Sequence, residues 1–421
     1  MAKRLKGQVY LPGDKSISHR ALMLAAISSG QCHVENLAQS LDVESSANCL
    51  RQLGVEINNN GNSAQVLGVG FRNFIEPGTS LDCGNSGTSL RLLTGMLSAS
   101  NVQATLDGDS SLKRRPMGRV IEPLKKMGAR IESLSSSDNC PVKVFGQILN
   151  GVSQSISVPS AQVKTAILFA GLLAKGATEL EERVPTRDHT ENILKFLGVD
   201  LRIDQRKIMM TPPGYLKAFD LRVPGDPSSA AFLIVAAALI PNSELGFQEM
   251  LLNPTRIGYI QILIDMGLKM NVLDSWKKYN ERIGNLLILS SELKGITIDE
   301  RHAASYIDEA PVLALAATQA KGRSVFKGLS ELKVKESDRL AGIKDILNQM
   351  GGKITISGDD LIIDGPTALH YYDGECFGDH RLAMMIEVGN LISCGQISHK
   401  YEQEIRVSFK KFYSLIDGVM K

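Results

Sequence analysis

Residues 224–240 have the sequence PGDPSSAAFLIVAAALI, a Pro-Gly-Asp turn followed by a helix that is apolar on every side. Asp before the helix and Pro at its first position are typical of a helix start. A helix without a polar face has no side suited to water, so it must be buried. Residues 161–174 have the same character. We therefore predict buried helices surrounded by strands and by amphipathic helices.

The apolar helix recurs six times along the chain, at intervals of about 70 residues. The expected starts lie near His19, Gly87, Ser160, Pro227, His302 and Asp379. Most repeats also contain a second, amphipathic helix that is expected to stop at a glycine, namely Gly54, Gly128, Gly198, Gly267 or Gly351. A short strand-like run is also expected after each of the six apolar helices. This pattern predicts stacked copies of one αβ unit that share a core.

The tripeptide Pro-Gly-Asp occurs at 12–14 and again at 224–226, with three repeats between the two copies and three after them. Pro and Gly set backbone angles without requiring ladder hydrogen bonds, which suits a hinge. The alternative is two unrelated surface turns. We predict a first domain of residues 1–13 plus 227–421, a second domain of residues 14–226, and a hinge near 12–14 and 224–227.

Composition excludes several classes of function. A chain of 421 residues with 43% hydrophobic residues and a formal charge of +2 gives no global signal for nucleic acid or membrane binding. Its six cysteines lie far apart without a C-x-x-C pair, which argues against a zinc site and a disulfide framework and favours the cytoplasm. The longest apolar stretch, residues 230–240, is too short to span a bilayer.

Polar residues cluster just before, or in the first turn of, the apolar helices. They are Lys15, Ser16 and Arg20; Asn85, Ser86 and Thr88; Ser160 and Gln162; Asp226 and Ser228; and Asp379, His380 and Arg381. Helix N-termini attract anions, although Ser, Asn and Asp are also ordinary helix caps. Capping does not explain the cations that recur in or between these clusters, which are Lys15, Arg20, Arg115, Arg187, Lys335, Arg339 and Arg381. Neither common phosphate-binding fingerprint is present, so we expect a polyanion site assembled from distant segments.

Six segments in colinear order resemble the 5-enolpyruvylshikimate-3-phosphate synthase family. They are PGDKSISHRA (12–21), GNSGTSLRLL (84–93), RPM (115–117), SAQVK (160–164), KESDRL (335–340) and DHRLA (379–383). The chain further resembles the second class of that family, which is often associated with glyphosate tolerance. This resemblance lies in Gly13-Asp14-Lys15, SAQVK, the R-x-H-x-E run at Arg187 and Asn253-Pro254-Thr255-Arg256.

The resemblance implies an α/β, two-domain enolpyruvyl transferase fold, in which each domain is built from three βαβαββ units with buried parallel helices. It implies transfer of the enolpyruvyl group of phosphoenolpyruvate to the 5-hydroxyl of shikimate 3-phosphate, without a metal or an organic cofactor. We expect a cytoplasmic monomer that binds neither nucleic acid nor membrane. The two substrates carry about −5 to −6 charges together, which the seven cations match in size.

The resemblance also assigns residues to each substrate. Shikimate 3-phosphate is expected to meet Lys15, Ser16, Arg20, Ser160, Ala161, Gln162, Arg187, Asp308 and Lys335. Phosphoenolpyruvate is expected to meet Lys15, Asn85, Gly87, Arg115, Gln162, Lys335, Arg339 and Arg381. All of these side chains should then line one electropositive gap.

Proton transfer is assigned to Asp308, Glu336 and Lys15, with Asp308 as the base near the hydroxyl. A carboxylate among cations has a lowered pKa, so Glu336 needs partial desolvation or phosphate neighbours to act as an acid. Which group protonates which atom stays open. Without the family resemblance, Asp308 is more simply a solubilising charge.

The chain departs from the family pattern in two places. The expected C-terminal Pro is absent and the usual Lys position is Val407, so Arg406 or Lys410 is left as a replacement. Tolerant enzymes of the second class often have Ala where this chain has Gly87, which leaves the response to glyphosate open.

Two other functions are weighed against this assignment. The related UDP-N-acetylglucosamine enolpyruvyl transferases use a loop Cys where this chain has Ser110, and a Lys-Asn pair where it has Lys15-Ser16. A non-catalytic sugar-phosphate binding protein is disfavoured, because Asp308 and Glu336 would weaken simple anion binding.

Overall fold

The structure is a computed structural model that describes residues 4–136 and 138–421, so the first three residues of the predicted first domain lie outside the described residues. The strands in chain order are β1 (Lys6–Tyr10), β2 (Ser28–Glu35), β3 (Glu56–Asn60), β4 (Ser63–Val69), β5 (Leu81–Asp82), β6 (Gln103–Asp107), β7 (Arg130–Ser133), β8 (Val142–Phe145), β9 (Ser153–Ile156), β10 (Thr178–Glu182), β11 (Leu201–Asp204), β12 (Lys207–Met210), β13 (Leu216–Lys217), β14 (Asp220–Arg222), β15 (Glu244–Leu251), β16 (Lys269–Lys278), β17 (Glu281–Leu289), β18 (Thr297–Ile298), β19 (Gly322–Phe326), β20 (Ile354–Ser357) and β21 (Asp360–Gly365).

The helices alternate with these strands along most of the chain. They are α1 (Lys15–Ala26), α2 (Leu41–Gln52), α3 (Gly87–Ser98), α4 (Gly118–Lys126), α5 (Ala161–Gly171), α6 (His189–Phe196), α7 (Pro227–Leu239), α8 (Gly258–Asp265), α9 (Ala303–Tyr306), α10 (Ala310–Gln319), α11 (Arg339–Gln349), α12 (His380–Cys394), α13 (Glu402–Arg406) and α14 (Phe412–Val419). Short 3-10 helices cover Leu112–Arg114, Glu300–His302 and Ser330–Val334. Among the described residues, none of the helices combines the length and the apolar character that a membrane span requires.

Packing divides the chain into two compact units. The first unit contains the described residues up to Asp14, Pro224–Lys278 and Arg282–Lys421. The second unit contains Lys15–Val223 and Tyr279–Glu281. The chain therefore passes between the units at the two Pro-Gly-Asp segments and again on either side of a hairpin tip, which no sequence feature had indicated.

The second unit has three sheets with one recurring strand order. The orders are β5-β6-β8-β7, β9-β10-β12-β11 and β13-β2-β4-β3, with β14 also beside β2. In each sheet the first two strands are parallel and the hairpin that follows is antiparallel. In the first two sheets this is the arrangement that a βαβαββ unit produces, since the first crossover carries a helix and the last connection is a tight turn. In the third sheet the first strand, β13, comes from the end of the unit's chain.

The first unit repeats the same strand order in two sheets, β1-β15-β17-β16 and β18-β19-β21-β20. Its third repeat differs from the expected pattern. After α12 the chain continues into α13 and α14, and no residue of the described chain beyond Gly365 belongs to a strand. The prediction of a strand-like run after every apolar helix was therefore wrong for the last repeat. Short helices with buried residues such as Phe412 cover the core there instead.

The apolar helices are buried, as their composition predicts. In α7 every residue from Pro227 to Ala238 is buried, and α10 is buried from Ala310 to Thr318. Close packing between α3 and α5 in the second unit depends on Gly95, where a Cβ atom would lie 2.2 Å from the backbone oxygen of Ala166. Burial of such helices in a core is the main favourable term in folding.

Two of the six expected helix starts were misplaced. The helix expected near His19 begins one turn earlier, at Lys15. The helix expected near His302 begins at Ala310, because a 3-10 turn and the short helix α9 occupy the intervening residues. Pro311 in the first turn of α10 suits that later start, since proline needs no intrahelical N–H bond there.

The five glycines predicted to end the amphipathic helices all do so. Each directly follows the C-cap residue of α2, α4, α6, α8 or α11, and each has a φ between 82° and 109°. Side chains with a Cβ atom rarely adopt such angles, so glycine is the residue that lets the chain turn into the next strand.

The hairpin between β16 and β17 places its tip, Tyr279–Glu281, in the second unit. Tyr279 and Asn280 have φ angles of 54° and 59°, the left-handed values of a tight hairpin turn. The Tyr279 ring packs edge-on against Phe196 at 4.9 Å between centroids, and its hydroxyl accepts a hydrogen bond from the backbone N–H of Arg222 at 3.2 Å. The tip is therefore held by specific contacts.

Candidate active site

Lys15 is the first residue of α1 and lies at a helix N-terminus, where predicted anion binders should be. Its Nζ atom donates to Asp42 Oδ2 at 2.7 Å, and both side chains are partly exposed. Asp42 belongs to the first turn of α2 and had no predicted role. An acidic residue in a first helical turn is common, so the sequence gave no reason to single it out.

Arg20 is buried and joins three elements of the second unit. Its Nε atom donates to Thr190 Oγ1 and its Nη2 atom to Thr165 Oγ1, both at 2.7 Å. Its Nη1 atom donates to the backbone oxygen of Ser16 at 2.8 Å. The guanidinium therefore fixes Ser16, another predicted binding residue, with respect to α5 and α6.

Arg115 and Asn85, both assigned to phosphoenolpyruvate, are hydrogen-bonded to each other. Arg115 Nη2 donates to Asn85 Oδ1 at 2.6 Å, and Asn85 Nδ2 donates to Asp109 Oδ2 at 2.6 Å. Gly87 lies beside this pair, since a Cβ atom built on it would be 3.3 Å from Arg115 Nη1 and 2.9 Å from Arg91 Nη1. A side chain at this position would press on two guanidinium groups.

Gln162 lies at the start of α5 and links it to α3. Its Oε1 atom accepts from Arg91 Nη1 at 2.6 Å, and its Nε2 atom donates to Thr88 Oγ1 at 2.9 Å. The neighbouring Ser160 caps α5, with its hydroxyl oxygen accepting from the N–H of Val163 at 3.4 Å. Arg91 lay within a quoted motif but had no predicted role. Its position one turn into α3 is what directs it toward Gln162.

Arg187 lies half-buried in the loop between β10 and α6, and a buried ion cluster brackets that loop. The Nζ atom of Lys164 contacts Glu182 Oε2 at 3.0 Å and Glu191 Oε1 at 2.6 Å. Glu182 also accepts from the N–H of Thr186 at 3.2 Å. We call Lys164, Glu182 and Glu191 the Lys164 cluster; it holds both ends of the segment that carries Arg187.

The Lys164 cluster has two carboxylates for one cation, and the pKa of one carboxyl is shifted. Burial raises the pKa of Glu191 above its ordinary value, although the positive charge of Lys164 opposes the shift. Lys164 belongs to SAQVK and Glu191 to the R-x-H-x-E run. Two motifs that are distant in sequence are therefore ion-pair partners.

His189, the histidine of the R-x-H-x-E run, has a buried partner of its own. Its Nδ1 atom lies 2.8 Å from Glu281 Oε1 on the hairpin tip. Together with Asp188, these residues offer potential metal-ligand atoms within 4.8 Å of one another. The hydrogen bond between His189 and Glu281 already accounts for two of the three groups.

In the first unit, Asp308 lies in the turn between α9 and α10 and meets two predicted cations. Its Oδ1 atom is 3.4 Å from Lys335 Nζ and 3.8 Å from Arg339 Nη1. Arg339 also pairs with Glu336, the other predicted acid-base carboxylate. Asp308, Lys335, Glu336 and Arg339 are thus brought together.

Arg339 is fully buried and is held by a strong ion pair. Its Nε atom donates to Asp379 Oδ2 at 2.7 Å. Burial alone would raise the pKa of Asp379, but the Arg339 guanidinium outweighs it and holds that pKa below the ordinary value. Burial would likewise lower the pKa of Arg339, yet Asp379 and Glu336 raise it.

Arg381 completes the first-unit set. Its Nη1 atom donates to the backbone oxygen of Asp308 at 2.6 Å and lies 3.4 Å from Glu309 Oε1. Its backbone N–H donates to Asp379 Oδ1, the N-cap of α12, at 2.8 Å. The C-terminal candidates Arg406 and Lys410 are both exposed, and a role for either stays a prediction.

Comparisons with known proteins agree over the full chain. A family model described as EPSP synthase (3-phosphoshikimate 1-carboxyvinyltransferase) matches residues 1–415. A 3-phosphoshikimate 1-carboxyvinyltransferase of Geobacter metallireducens is 40% identical over 418 residues, which cover 99% of this chain and 97% of that protein. The enzyme of the same name from Syntrophomonas wolfei is 41% identical over 416 residues, with 99% and 97% covered.

Solved structures agree with the sequence matches. EPSP synthase from Acinetobacter baumannii superposes with a TM-score of 0.88 at 37% identity, covering 100% of this chain and 98% of that one. The enolpyruvyl transferase NikO from Streptomyces tendae has a TM-score of 0.76 at 16% identity, covering 99% and 96%, which speaks for the fold alone. The predicted two-domain enolpyruvyl transferase fold is confirmed, and the UDP-N-acetylglucosamine alternative is not supported. The chain belongs to the EPSP synthase family.

Proposed function

We propose that this chain transfers the enolpyruvyl group of phosphoenolpyruvate to the 5-hydroxyl of shikimate 3-phosphate and releases phosphate, on the route to chorismate and the aromatic amino acids. The observation that carries the proposal is the environment of Asp308. Its carboxylate lies against Lys335 and Arg339, and its backbone oxygen accepts from Arg381. The cations beside this carboxylate can also pair with the phosphate and carboxylate groups of the two substrates.

Shikimate 3-phosphate is assigned to residues at the N-termini of α1 and α5 and to the Arg187 loop. These residues are Lys15, Ser16, Arg20, Ser160, Ala161, Gln162 and Arg187, with Asp308 and Lys335. Free N–H groups in the first turn of a helix suit a phosphate or carboxylate. The Arg20 and Lys164 contacts support this assignment, because they hold the loop and both helix starts in fixed positions.

Phosphoenolpyruvate is assigned to a set that is rich in arginine. The set contains Lys15, Asn85, Gly87, Arg115, Gln162, Lys335, Arg339 and Arg381. Arg pairs in a bidentate way with both phosphate and carboxylate, which is why several of them suit this small dianionic or trianionic ligand. The hydrogen bond between Arg115 and Asn85 supports a fixed orientation for one of these guanidinium groups.

The reaction needs two proton transfers in opposite senses. The 5-hydroxyl loses its proton, its oxygen bonds to C2 of phosphoenolpyruvate, and the methylene carbon gains a proton. The tetrahedral intermediate then loses a proton from that carbon and expels phosphate. We assign the hydroxyl proton to Asp308, and the remaining transfers to Glu336 and Lys15.

Three further properties belong to the proposal. We expect a cytoplasmic monomer without a cofactor. We also keep the sequence prediction that the segments 12–14 and 224–227 act as a hinge on which substrate binding closes the enzyme and excludes water. Small-angle scattering that shows no compaction when both ligands are added would contradict closure.

The function is tested by release of phosphate from phosphoenolpyruvate with shikimate 3-phosphate as acceptor, in parallel with UDP-N-acetylglucosamine. We expect turnover with the first acceptor alone. Lys15→Ala and Asp308→Ala should each abolish it while circular dichroism stays parental. The same assay with glyphosate measures the response to this inhibitor, which the sequence left open because the chain has Gly87 where tolerant enzymes often have Ala.

A matched control is Arg323→Ala, which removes an exposed cation of the first unit outside every assigned set. It should turn over at the parental rate. Near-parental turnover by folded Lys15→Ala or Asp308→Ala would refute the residue assignment. Tight binding of shikimate 3-phosphate without any turnover by the parent protein would favour a binding protein instead.

A further inference from the structure

The two Pro-Gly-Asp segments are hydrogen-bonded to each other. The N–H of Asp14 donates to the backbone oxygen of Pro224 at 2.8 Å, and the N–H of Asp226 donates to that of Pro12 at 2.9 Å. The glycines between them form an antiparallel bridge. Tripeptides that are half the chain apart in sequence are thus paired at the points where the chain leaves and re-enters the first unit.

Both aspartates of these segments turn their side chains to one arginine. Arg256 Nε lies 3.4 Å from Asp14 Oδ2, and Arg256 Nη2 lies 3.3 Å from Asp226 Oδ1. The third nitrogen, Nη1, lies 3.2 Å from Glu309 Oε1. We call these four residues the Arg256 cluster. Each guanidinium nitrogen serves a different carboxylate, which a lysine with one nitrogen cannot reproduce.

The Arg256 cluster is buried, so its geometry is tightly constrained. The side chain of Arg256 is 3% exposed, and those of Asp14 and Glu309 are 0% exposed. Burial and the nearby charge of Asp14 raise the pKa of Asp226, while the three carboxylates raise that of Arg256 against the effect of its burial. Charges in such a place stay paired, because an unpaired buried charge is costly.

Two of the three carboxylates of the cluster belong to sequence neighbours of the proposed proton-transfer residues. Asp14 directly precedes Lys15, and Glu309 directly follows Asp308. Glu309 also lies 3.4 Å from Arg381 Nη1, the atom that donates to the backbone oxygen of Asp308. A shift of Arg256 would therefore move Asp14 and Glu309, each of which is one peptide bond away from a proposed proton-transfer residue.

We infer that Arg256 is a positioning residue for enolpyruvyl transfer, which ties the paired Pro-Gly-Asp segments to the Asp308–Glu309 turn within the first unit and thereby holds Asp308 and the residue that precedes Lys15. This inference rests on the proposed function. Arg256 itself is not assigned to either substrate. Its effect on the reaction comes from geometry, and misplacement of reacting groups by about 1 Å can cost roughly 100-fold in rate.

The test is the kinetics of Arg256→Lys, which keeps the charge but loses the three-way bridge. Arg323→Lys, at the exposed pair with Asp364, is the matched control in the same unit. We expect kcat per folded molecule to fall about 10- to 100-fold in Arg256→Lys, with KM for each substrate changed much less. The control should have parental kcat and KM.

A second variant covers the case in which Arg256→Lys does not fold. Asp226→Asn keeps the shape and the capping oxygen of α7 but removes one charge from the cluster, at a residue that is assigned to neither substrate. We expect its kcat to fall several-fold at parental KM.

The outcomes separate the two proposals. Parental kcat in folded Arg256→Lys, or in Asp226→Asn if the former does not fold, overturns the positioning role, as does a change limited to melting temperature. Absence of turnover in the parent protein would overturn the proposed function, and this inference with it.

Discussion

Each unit of this enzyme contains a buried ion cluster in which carboxylates outnumber the central cation. The Lys164 cluster joins residues of neighbouring elements, with Glu182 only 18 residues from Lys164. In the Arg256 cluster, the paired residues Arg256 and Asp14 lie 242 positions apart. The first cluster holds one loop within a repeat, whereas the second joins segments of the first unit that are distant in sequence. Similar electrostatics thus serve a local task in one place and a long-range task in the other.

The largest expected effect is on stability when either cation is removed. Arg256→Met and Lys164→Met each leave buried carboxylates without their cation, and we expect the free energy of unfolding to fall by about 3–5 kcal/mol. Urea denaturation followed by circular dichroism measures it. We expect Arg256→Met to lose more, because it removes a cation that faces three carboxylates rather than two.

A charge-free version of the smaller cluster is the control for that loss. Lys164→Met combined with Glu182→Gln and Glu191→Gln should recover most of the stability, since no buried charge remains unpaired. A loss under about 1 kcal/mol in either single variant would show that water screens the charges of that cluster, and would contradict its role as a buried ion cluster.

A smaller effect is expected in the pH dependence of stability. The pKa of Glu191 is raised in the folded state above its ordinary value of 4.5, mainly by burial. The folded protein therefore holds this proton at pH values where the unfolded chain has lost it, and the resulting stability, complete below pH 4.5, is lost as pH rises through the folded-state pKa.

Glu191→Gln removes this titration and measures its size. We expect the unfolding free energy of the parent, relative to the variant, to decline as pH rises above 4.5. Urea titrations at several pH values give the two curves. Parallel curves, or a parent that gains on the variant as pH rises, would contradict the raised pKa.

The smallest effect is expected at an exposed ion pair, between Arg323 and Asp364. Arg323 Nε donates to Asp364 Oδ1 at 2.7 Å, a geometry as good as that of the buried pairs. Both side chains are well exposed, so water and salt screen the attraction. Arg323→Ala should leave the urea midpoint unchanged within error, and a shift like that of Lys164→Met would mean that burial is not what separates the pairs.

Local signals in the sequence were sufficient for much of the fold. Gly54 and its four counterparts were correctly predicted to end helices, because a left-handed residue after a periodic run is a property of the chain at that point. The burial of α7 followed in the same way from the absence of a polar face. The helices after α12 were not anticipated, because a strand-like run was expected to follow every apolar helix.

The site was less completely predictable. Lys15, Asp308 and Arg339 were singled out because charged residues recur at helix starts and in family motifs. Asp42 and Arg91 were missed, since each matters only through a partner that tertiary structure brings to it. The pairing of Lys164 with Glu191 had a signal in the motifs, but charge patterns alone do not state which cation meets which acid.

The amino-acid sequence by itself determined the repeated helices, their glycine ends, the family and most residues of the candidate site, because these depend on periodicity, backbone preference and motif identity. Only the tertiary structure decided that two Pro-Gly-Asp segments pair with each other, that Arg256 holds both together with Glu309, and that Glu281 reaches His189. The physical reason is that hydrogen bonds and ion pairs act over a few ångströms, and chain folding alone sets which distant residues come that close.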